Sequence, residues 1–590
     1  MLSFSMDGRE HIKIQCDQIN KDIKFFFDDE FNKQFDPNEI TIDVPSFMRT
    51  YNNINRFLAK NKIPIQTSDD FLNIVNSIPS YQAASSSKEI TEKDILKKIQ
   101  IEGFKRIPTK DQFRNLRKLC SIRAGASFSV PGAGKTTEAL AFHAYHKSSD
   151  EDKLLVISPI NAFTSWNEEL QECYETKDTF ARLRGTVQEI KAKINANPQY
   201  MIINYEALYT HNTDEKFNTI KELILKNHNI TVILDESHKS KGENISEIIA
   251  QISPYINKKL ILTGTPMPQA PTDLRPQFNF LYPHEHIIND DELVEKFNPV
   301  YVRTTKKDLG LMKPIYNIHK LSPNPAFKLF YDEYFAKRLA AGSTLEDILS
   351  VKSFKEAVLK LLKLLSNPTS CFDDIFNLDP SLANHIQDEG DGAKIDAVVK
   401  RAQDLISEGE KVIIWSSFVI NVELIAQKFG KKAVFIHGGV PSRSEEDNFT
   451  EFDSREEKIR RFKEDPECMV LVANPAAAAE SISLHKYCNY ALYLDRTYNA
   501  GQFLQSQDRI HRLVSKDMEK QKYIEIFILD LPECVDWKVH AALNRKIDNM
   551  AAFLNDASLL SLHGFDYDLD AYQDKGRTVI DKLDEEEFYN

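Results

Sequence analysis

The stretch that decides the fold is Val130-Pro131-Gly132-Ala133-Gly134-Lys135-Thr136-Thr137. Residues 126–130 in front of it predict a strand, and residues 138–142 behind it predict the start of a helix. A glycine-rich turn between a strand and a helix brings backbone N–H groups and a helix N-terminus to one point, where they can bind phosphate. The stretch therefore predicts a phosphate-binding loop, the P-loop, within an α/β sheet.

The residues of the P-loop are expected to share the work of holding a nucleotide. The glycines let N–H groups approach phosphate oxygens, Lys135 adds a point charge near the β- and γ-phosphates, and Thr136 offers a hydroxyl to Mg²⁺. Ser129 stands where the strict pattern has glycine, and a turn that binds nothing is the alternative. The flanking strand and helix favour the nucleotide site. Its expected contacts are Gly132, Ala133, Gly134, Lys135, Thr136 and Thr137.

A pair of carboxylates opens a second motif, Asp235-Glu236-Ser237-His238, directly after the apolar run 231–234. The pair is thereby placed at the carboxyl end of a buried strand, where ligands bind in open α/β sheets. Asp235 is expected to hold Mg²⁺, and Glu236 to orient or deprotonate the attacking water. An acidic turn alone is usually surface, but beside a P-loop the pair predicts hydrolysis of ATP with Mg²⁺.

A glutamine upstream of the P-loop is a candidate for reading the nucleotide base. Gln112 closes the stretch 103–112, and its side-chain amide carries both a donor and an acceptor, as the edge of adenine requires. An exposed glutamine on a helix is the alternative, and the sequence leaves both interpretations open.

Strands and helices alternate over two separate blocks of the chain. Short apolar runs at 154–157, 201–203, 231–234 and 260–262 form the first block, and similar runs fill a second from about 394 to 530. This alternation is typical of doubly wound parallel sheets. The predicted fold class is α/β, with two such lobes in tandem, a helical insertion and a small N-terminal α/β domain. The expected domains are an accessory domain (1–82), lobe one (90–310), a helical protrusion or linker (311–390), lobe two (391–550) and a C-terminal tail (551–590).

Bulk composition narrows the class of protein. The 590 residues exceed what a single core organises, and 42% apolar with 28% charged residues is typical of globular domains. No apolar run is long enough to cross a membrane, the first residues do not resemble a signal peptide, and the seven cysteines form no metal-binding pair. A cytoplasmic protein without a membrane partner is expected. The net charge of −13 argues against broad nucleic-acid binding but permits a local basic track.

The order of these motifs resembles helicase superfamily two, because Leu262-Thr263-Gly264-Thr265-Pro266 follows the P-loop and the carboxylate motif. Further stretches resemble the Swi/Snf-type ATPases within that superfamily. They are residues 158–166, 204–206, 280–283, 302–308, 365–368, 415–418, 437–439 and 505–512. The resemblance covers about residues 103–550. It implies that both lobes are RecA-like and that the cofactors are ATP and Mg²⁺.

The resemblance also implies catalytic residues in lobe two. Arg509 and Arg512 would act as arginine fingers on the γ-phosphate, and Gln505 and His238 are expected beside the nucleotide. Hydrolysis would then depend on closure of the lobes, which is how a motor couples chemistry to movement. Without the family context, arginines at positions i and i+3 predict only a basic helical face.

Double-stranded DNA, translocated along rather than unwound, is the partner that the resemblance implies. No base-reading module is visible, which fits a motor that grips phosphates whatever the sequence. Protein partners in a multi-subunit system are compatible with this role. The candidate nucleic-acid contacts are Pro159, Asn204, Thr263, Arg303, Lys306 and Ser416.

Lobe two departs from the family pattern at one loop. A glycine-rich loop is replaced at residues 476–483 by Ala-Ala-Ala-Ala-Glu-Ser-Ile-Ser, and Leu513-Val514 replaces the usual Gly-Gln. Alanines resist backbone conformations that glycine adopts, and Glu480 adds negative charge beside the expected DNA track. Coupling between the lobes is therefore expected to differ, although the residues needed for hydrolysis are retained.

Three functions compete. The preferred one is an ATP-dependent translocase or remodeller on double-stranded DNA, in a setting such as bacterial genome maintenance or anti-phage defence. The second is a helicase that separates DNA or RNA strands. The third is an ATP-gated binding or scaffold subunit of a larger complex, which the altered loop leaves open and the intact catalytic residues oppose.

Overall fold

The protein divides into two compact units, Met1–Leu309 and Gly310–Asn590. Each is built around a parallel sheet with helices, as the alternating sequence pattern predicts. The structure, a computed structural model, describes residues 1–559 apart from 17–20, 37–38, 209–214, 228, 341–342, 344, 350–352, 442–453, 479–482, 514–519 and 532–533.

A small α/β domain opens the first unit. Its elements are β1 (Leu2–Asp7), β2 (His11–Cys16), α1 (Lys21–Glu30), β3 (Glu39–Asp43), α2 (Val44–Lys60), β4 (Ile65–Thr67), α3 (Asp69–Ser77) and α4 (Tyr81–Ser85). The sheet has the order β3-β2-β1-β4, and alternate residues such as Phe4 and Ile12 lie in its core. Glu10 pairs with Lys221 at 2.8 Å, which ties this domain to the rest of the unit.

The large sheet of the first unit is parallel throughout. Its strands are β5 (Ala124–Ser127), β6 (Leu154–Ile157), β7 (Ala181–Arg182), β8 (Tyr200–Ile203), β9 (Thr231–Asp235), β10 (Lys258–Leu262) and β11 (Tyr301–Val302). They lie in the order β11-β5-β10-β9-β6-β8-β7. β6 is buried along its whole length, because both faces of such a sheet are covered. All carboxyl ends therefore meet at one edge of the sheet.

Helices pack against this sheet and fix the ends of the functional loops. They are α5 (Glu92–Ile101), α6 (Lys110–Leu119), α7 (Lys135–His146), α8 (Phe163–Tyr174), α9 (Val187–Asn195), α10 (Tyr205–Leu208), α11 (Glu215–Lys226), α12 (Glu243–Ile252), α13 (Leu274–Leu281) and α14 (Asp290–Phe297). α6 begins with a capping box, in which Thr109 and Gln112 satisfy each other's backbone N–H groups. α7 begins directly after the P-loop and buries Leu140 and Phe142 in the core.

A buried histidine on α7 makes the first unit sensitive to acid. His143 is 1% exposed, and its Nδ1 lies 2.9 Å from the Thr231 hydroxyl oxygen. Burial lowers the pKa of this imidazole from 6.5 to about 3. Below pH 6.5 the unfolded chain therefore binds the proton first, so this contribution to stability is full above pH 6.5 and is lost as the pH falls toward 3.

We expect His143→Gln to reduce the acid sensitivity of the fold. The free energy of unfolding of the wild type should fall between pH 8 and pH 5, and about 2 kcal/mol of that fall should be absent in the variant. Urea unfolding at the two pH values measures both quantities. An equal fall in the two proteins would contradict a neutral, buried imidazole at this position.

The second unit contains another parallel sheet. Its strands are β12 (Ile315–Leu321), β13 (Val412–Trp415), β14 (Ala433–Ile436), β15 (Val470–Ala473), β16 (Tyr490–Tyr493) and β17 (Tyr523–Leu529), in the order β12-β17-β16-β13-β15-β14. Its helices are α15 (Pro325–Tyr331), α16 (Lys337–Ala340), α17 (Leu345–Leu349), α18 (Phe354–Ser366), α19 (Phe372–Leu378), α20 (Pro380–Asp388), α21 (Ala393–Ser407), α22 (Val419–Phe429), α23 (Arg455–Glu464), α24 (Pro475–Ala478), α25 (Ala500–Gln507) and α26 (Val535–Phe553). None of the described helices is long and apolar enough to cross a bilayer.

Two features differ from the sequence prediction. The predicted helical segment 311–390 begins with a strand, because β12 pairs in parallel with β17 at the edge of the second sheet. The polar segment 83–87, whose serines predict a linker between the accessory domain and lobe one, lies partly in α4, where Ala84 is buried. In both places a short or polar pattern is overridden by packing against the neighbouring element.

Candidate nucleotide and nucleic-acid site

Neighbouring strands of the first unit bring the predicted nucleotide residues to one edge of the sheet. The P-loop follows β5, Thr263 follows β10 and Asp235 ends β9, and these three strands lie side by side. Since the strands are parallel, the phosphate-binding turn and the carboxylates face the same edge, separated by a single strand. This is the position at which open α/β sheets bind ligands.

The P-loop turns through two glycines in the left-handed region. Gly132 has a φ of +88° and Gly134 a φ of +83°. At Gly134 a Cβ atom would lie 2.2 Å from Gln112 Nε2, so a larger residue would displace that glutamine. α7 starts at Lys135, and its first N–H groups have no partner within the helix. The turn therefore has the geometry of an anion site.

The polar side chains of the P-loop point in different directions. Lys135 Nζ donates to the Ser129 carbonyl at 2.9 Å, which folds the side chain back over the loop. Thr136 is partly exposed, whereas Thr137 is buried and donates its hydroxyl to Glu169 on α8. Thr136 is therefore the more accessible hydroxyl for a metal ion, and the Thr137 side chain braces two helices rather than facing a ligand.

The side-chain amide of Gln112 is engaged within the protein. Its Oε1 accepts from the Thr109 N–H at 2.8 Å, its Nε2 donates to the Gly134 carbonyl at 3.4 Å, and the residue is only 5% exposed. In this arrangement Gln112 holds the P-loop against the start of α6. The exposed helical glutamine that the sequence left open is therefore wrong, and reading of the base stays a prediction.

Asp235 lies at the end of β9 with donors on each carboxylate oxygen. Trp166 Nε1 donates to Oδ2 at 2.9 Å, and the Glu236 N–H donates to Oδ1 at 3.0 Å. Burial, and then the neighbouring Glu236 carboxylate, raise the pKa of Asp235 to about 6. Burial and a neighbouring negative charge disfavour the ionised form of Asp235, and a cation beside the carboxylate would stabilise that form. This environment therefore suits a divalent metal ion.

Glu236 occupies the turn after β9 in a left-handed conformation, with a φ of +49°. Its Oε2 is shielded from solvent and has no hydrogen-bond partner among the described residues, while His238 Nδ1 lies 3.4 Å away. A shielded acceptor without a donor is rare and calls for a ligand or water in the functional state. The geometry therefore suits a group that orients a water molecule.

The remainder of the carboxylate motif is tied to the neighbouring loop after β10. His238 Nδ1 lies 2.9 Å from Thr263 Oγ1, which also accepts from the Thr265 N–H at 3.1 Å. Ser237 Oγ donates to Gln277 Oε1 at 2.7 Å, linking the motif to α13. Hydrogen bonds therefore join the motif to the loop after β10, and a role for His238 beside the nucleotide stays a prediction.

A buried polar network beneath the P-loop was not predicted from the sequence. Asn115 Nδ2 donates to Glu138 Oε1 at 2.7 Å and to Thr304 Oγ1 at 2.9 Å, and Ser127 Oγ donates to Glu138 Oε2 at 2.7 Å. Burial raises the pKa of the Glu138 carboxyl to about 7. The only sequence feature that could have indicated this network is the position of Asn115, three residues after Gln112 and therefore on the same face of α6.

Taken together, the residues at this edge fit a nucleotide with Mg²⁺. The glycine turn leads into the N-terminus of α7, Lys135 offers a charge, and Glu236 offers an unpartnered oxygen among the described residues. Thr136 and Asp235 supply the oxygen ligands that Mg²⁺ prefers. The set matches the donor chemistry of a phosphoryl-transfer site.

In the second unit, the predicted arginines follow α25. Arg509 is 4% exposed and its Nε donates to the Gln505 carbonyl at 3.0 Å, while the Arg512 Nε donates to the Asp508 carbonyl at 3.0 Å. Each Nε thus fixes the stem of its side chain to the backbone four residues earlier. Because α25 ends at Gln507, neither arginine lies on the continuous helical face that was the alternative. Gln505 is buried within α25, and its place beside the nucleotide stays a prediction.

The predicted nucleic-acid contacts differ in accessibility. Thr263 and Ser416 are fully buried, and the hydroxyl group of each has a partner within the protein. Thr263 Oγ1 lies in hydrogen-bond contact with His238, and Ser416 Oγ donates to Asp495 Oδ2 at 2.6 Å. Direct phosphate contacts by these hydroxyls are therefore not supported, and both side chains instead shape their loops. Pro159 is also buried, whereas Asn204, Arg303 and Lys306 are partly exposed.

The altered loop of lobe two begins as the short helix α24. Asn474 fixes its start, since Nδ2 donates to the Ser417 carbonyl at 2.8 Å and Oδ1 accepts from the Ala476 N–H at 2.9 Å. Arg455 donates to the Ala477 carbonyl at 3.1 Å. Alanines permit this helical turn, as their propensity predicts. Glu480 and Val514 lie outside the described residues.

Comparison with known proteins identifies the two lobes separately. The SNF2-related domain family matches residues 117–374, and the helicase conserved C-terminal domain family matches residues 393–514. Together the two matches cover more than half of the chain. They include the P-loop, the carboxylate motif and both arginines.

Individual relatives are distant in sequence. Subunit snf21 of a chromatin structure-remodeling complex from Schizosaccharomyces pombe is 21% identical over 71% of this chain and 36% of its own length. Chromodomain-helicase-DNA-binding protein 1 from Gallus gallus is 22% identical over 65% of this chain and 23% of its own length. The chain thus spans about a quarter to a third of these relatives.

A solved structure also aligns with the chain. The SWI2/SNF2 ATPase core of Sulfolobus solfataricus in complex with dsDNA is 17% identical, and the alignment covers 78% of this chain and 96% of that one with a TM-score of 0.32. The assignment rests instead on the two family matches and on the motifs that they contain. The chain belongs to the SNF2 family of ATPases within helicase superfamily two.

Proposed function

We propose that the protein hydrolyses ATP to translocate along double-stranded DNA and to remodel the complexes bound to it. The observation that carries the proposal is the meeting of the P-loop with Asp235 and Glu236 at one edge of a parallel sheet. The DNA substrate is supported by relatives that are named for DNA binding and chromatin remodelling.

In the proposed reaction, the P-loop N–H groups and Lys135 hold the phosphates of ATP. Thr136 and Asp235 would hold Mg²⁺, which neutralises charge on the phosphate oxygens. Glu236 orients the attacking water through its unpartnered Oε2 and accepts its proton. Arg509 and Arg512 of the second unit act on the γ-phosphate when the lobes close, so turnover follows movement.

DNA contacts are proposed to be electrostatic and independent of base sequence. Asn204, Arg303 and Lys306 are the partly exposed members of the predicted set. Contacts of this kind release counterions, so binding weakens as salt rises. Because the net charge of the protein is −13, DNA is expected to bind along a local basic surface rather than to the protein surface in general.

We expect duplex DNA to raise the ATPase rate of the purified protein by about tenfold or more, because DNA favours the closed, reactive arrangement of the lobes. The stimulation should decline between 50 and 300 mM salt. Steady-state ATP turnover with duplex DNA, single-stranded DNA and RNA measures the effect. A rate that ignores duplex DNA would sink the proposal, and a preference for single strands would support the strand-separating alternative.

The two alternatives give different outcomes in further assays. A strand-separating helicase releases the shorter strand of a forked duplex, whereas a translocase displaces a triplex-forming strand without opening the duplex. A scaffold subunit binds ATP with little turnover even when DNA is present. A role in bacterial genome maintenance or anti-phage defence, with protein partners in a larger system, stays a prediction from the sequence.

A further inference from the structure

Two buried aromatic residues hold Asp235, one through its side chain and one through its backbone. Trp166 Nε1 donates to the Asp235 carboxylate at 2.9 Å, and the Tyr205 hydroxyl donates to the Asp235 backbone carbonyl at 2.9 Å. Trp166 is 1% exposed and Tyr205 is fully buried. Hydrogen bonds shielded from water in this way are strong and directional, so together they fix the carboxylate and the peptide that carries it.

These two side chains come from loops with a different expected task. Trp166 lies on α8, which follows the loop after β6 that contains Pro159. Tyr205 begins α10, directly after β8 and beside Asn204. Because β9, β6 and β8 are consecutive in the sheet, both loops reach the end of β9. The two segments that contain the candidate nucleic-acid contacts Pro159 and Asn204 thus also reach Asp235, one at its carboxylate and one at its backbone.

The Trp166 ring is itself held rigidly. It packs edge-on against Phe180 with ring centroids 5.8 Å apart. Phe180 is fixed in turn, since its N–H donates to Asn167 Oδ1 at 2.8 Å. The ring contact and the hydrogen bond together hold the indole N–H toward Asp235 Oδ2. A donor of fixed direction leaves the remaining lone pairs of the carboxylate in a defined orientation.

We propose that Trp166 and Tyr205 are positioning residues that orient Asp235 for the divalent metal ion bound with the nucleotide. The inference rests on the proposed function, because it requires a metal–nucleotide complex at Asp235. Partners that orient a metal ligand from behind contribute about 10- to 100-fold to metal affinity elsewhere. Trp166 contacts the carboxylate itself and Tyr205 only its backbone, so Trp166 has the larger effect.

The first test measures binding rather than turnover. A fluorescent, non-hydrolysable ATP analogue is titrated in saturating Mg²⁺ and in EDTA. The Kd in EDTA divided by the Kd in Mg²⁺ gives the contribution of the metal to binding. In Trp166→Phe this ratio falls about tenfold toward one. The control is Trp415→Phe, which removes another fully buried indole whose N–H has no hydrogen-bond partner among the described residues. The ratio is unchanged in the control.

The second test changes only one hydroxyl group. Tyr205→Phe lowers the same ratio by a smaller factor of about three, because it frees the backbone behind Asp235. Its control is Tyr282→Phe, since Tyr282 is also fully buried and donates to a strand carbonyl, that of Ala124, at 2.6 Å. Both variants lose one buried hydrogen bond, so a general loss of stability affects them equally.

The outcomes separate the inference from the proposed function. If Trp166→Phe keeps the wild-type ratio, or lowers it no more than Trp415→Phe does, the positioning role is overturned. A lower ratio in Tyr205→Phe but not in Tyr282→Phe supports it even if the tryptophan variant folds poorly. No DNA and no turnover enter the measurement. A protein that shows the expected ratios but no DNA-stimulated ATPase therefore keeps this inference and loses the translocase proposal.

Discussion

Replacing Glu236 by Gln is expected to lower kcat for ATP hydrolysis by about 10²- to 10⁴-fold while nucleotide binding persists. Glu236 projects from a left-handed turn at the end of β9, and its shielded Oε2 has no donor among the described residues. The amide keeps the shape of the side chain and removes its capacity to accept a proton. Steady-state turnover, with nucleotide Kd measured in parallel, separates the chemical step from binding.

One control variant and one contrasting variant help to interpret the result for Glu236→Gln. Glu175→Gln makes the same chemical change at an exposed residue with nearly the same backbone, since its φ is +50°, and should leave kcat unchanged. Lys135→Ala should instead weaken nucleotide binding, because it removes the charge that folds over the P-loop. Wild-type turnover in Glu236→Gln would contradict the role of Glu236 and would favour another general base.

The parts of the fold that the sequence predicted well are those with strong local patterns. β6, β13 and β14 begin and end where their apolar runs do, because strands buried on both faces are apolar throughout. β12 was missed because its sequence, Ile-Tyr-Asn-Ile-His-Lys-Leu, has neither a continuous apolar run nor a strict alternation, and most of its residues are half-buried at a sheet edge. The pairing of β12 with β17 is a long-range contact that no local pattern contains.

In the candidate site, too, the residues in local motifs were predicted and the long-range contacts were not. Motifs located the P-loop and the carboxylate pair, because their chemistry requires particular residues at fixed spacing. The contact of Trp166 with Asp235, and that of Asn115 with Glu138, join residues far apart in sequence, so spacing alone could not reveal them. The burial of Ser416 and Thr263 could likewise not be predicted from the sequence, because a hydroxyl residue after a strand can lie at the surface or in the interior.

Replacing either finger candidate by lysine is expected to lower kcat by about 10³-fold or more, with the nucleotide Kd changed only a few-fold. Lysine keeps the positive charge but lacks the planar set of donors that binds two phosphate oxygens at once. In Arg509 and Arg512 the Nε–H groups already bind backbone carbonyls, which fixes the direction of each guanidinium group. A lysine at either position loses that fixed direction as well.

The control and the comparison between the two arginines decide the assignment. Arg460→Lys changes an exposed arginine of the same unit that pairs with Glu457 and Glu464, and should leave kcat unchanged. A loss in Arg512→Lys alone would make the partly exposed residue the finger and Arg509 its buried support. Because transition-state charge is stabilised only in the closed state, duplex DNA should no longer stimulate the affected variant. Full DNA-stimulated turnover in both variants would contradict the role of these two guanidinium groups as arginine fingers.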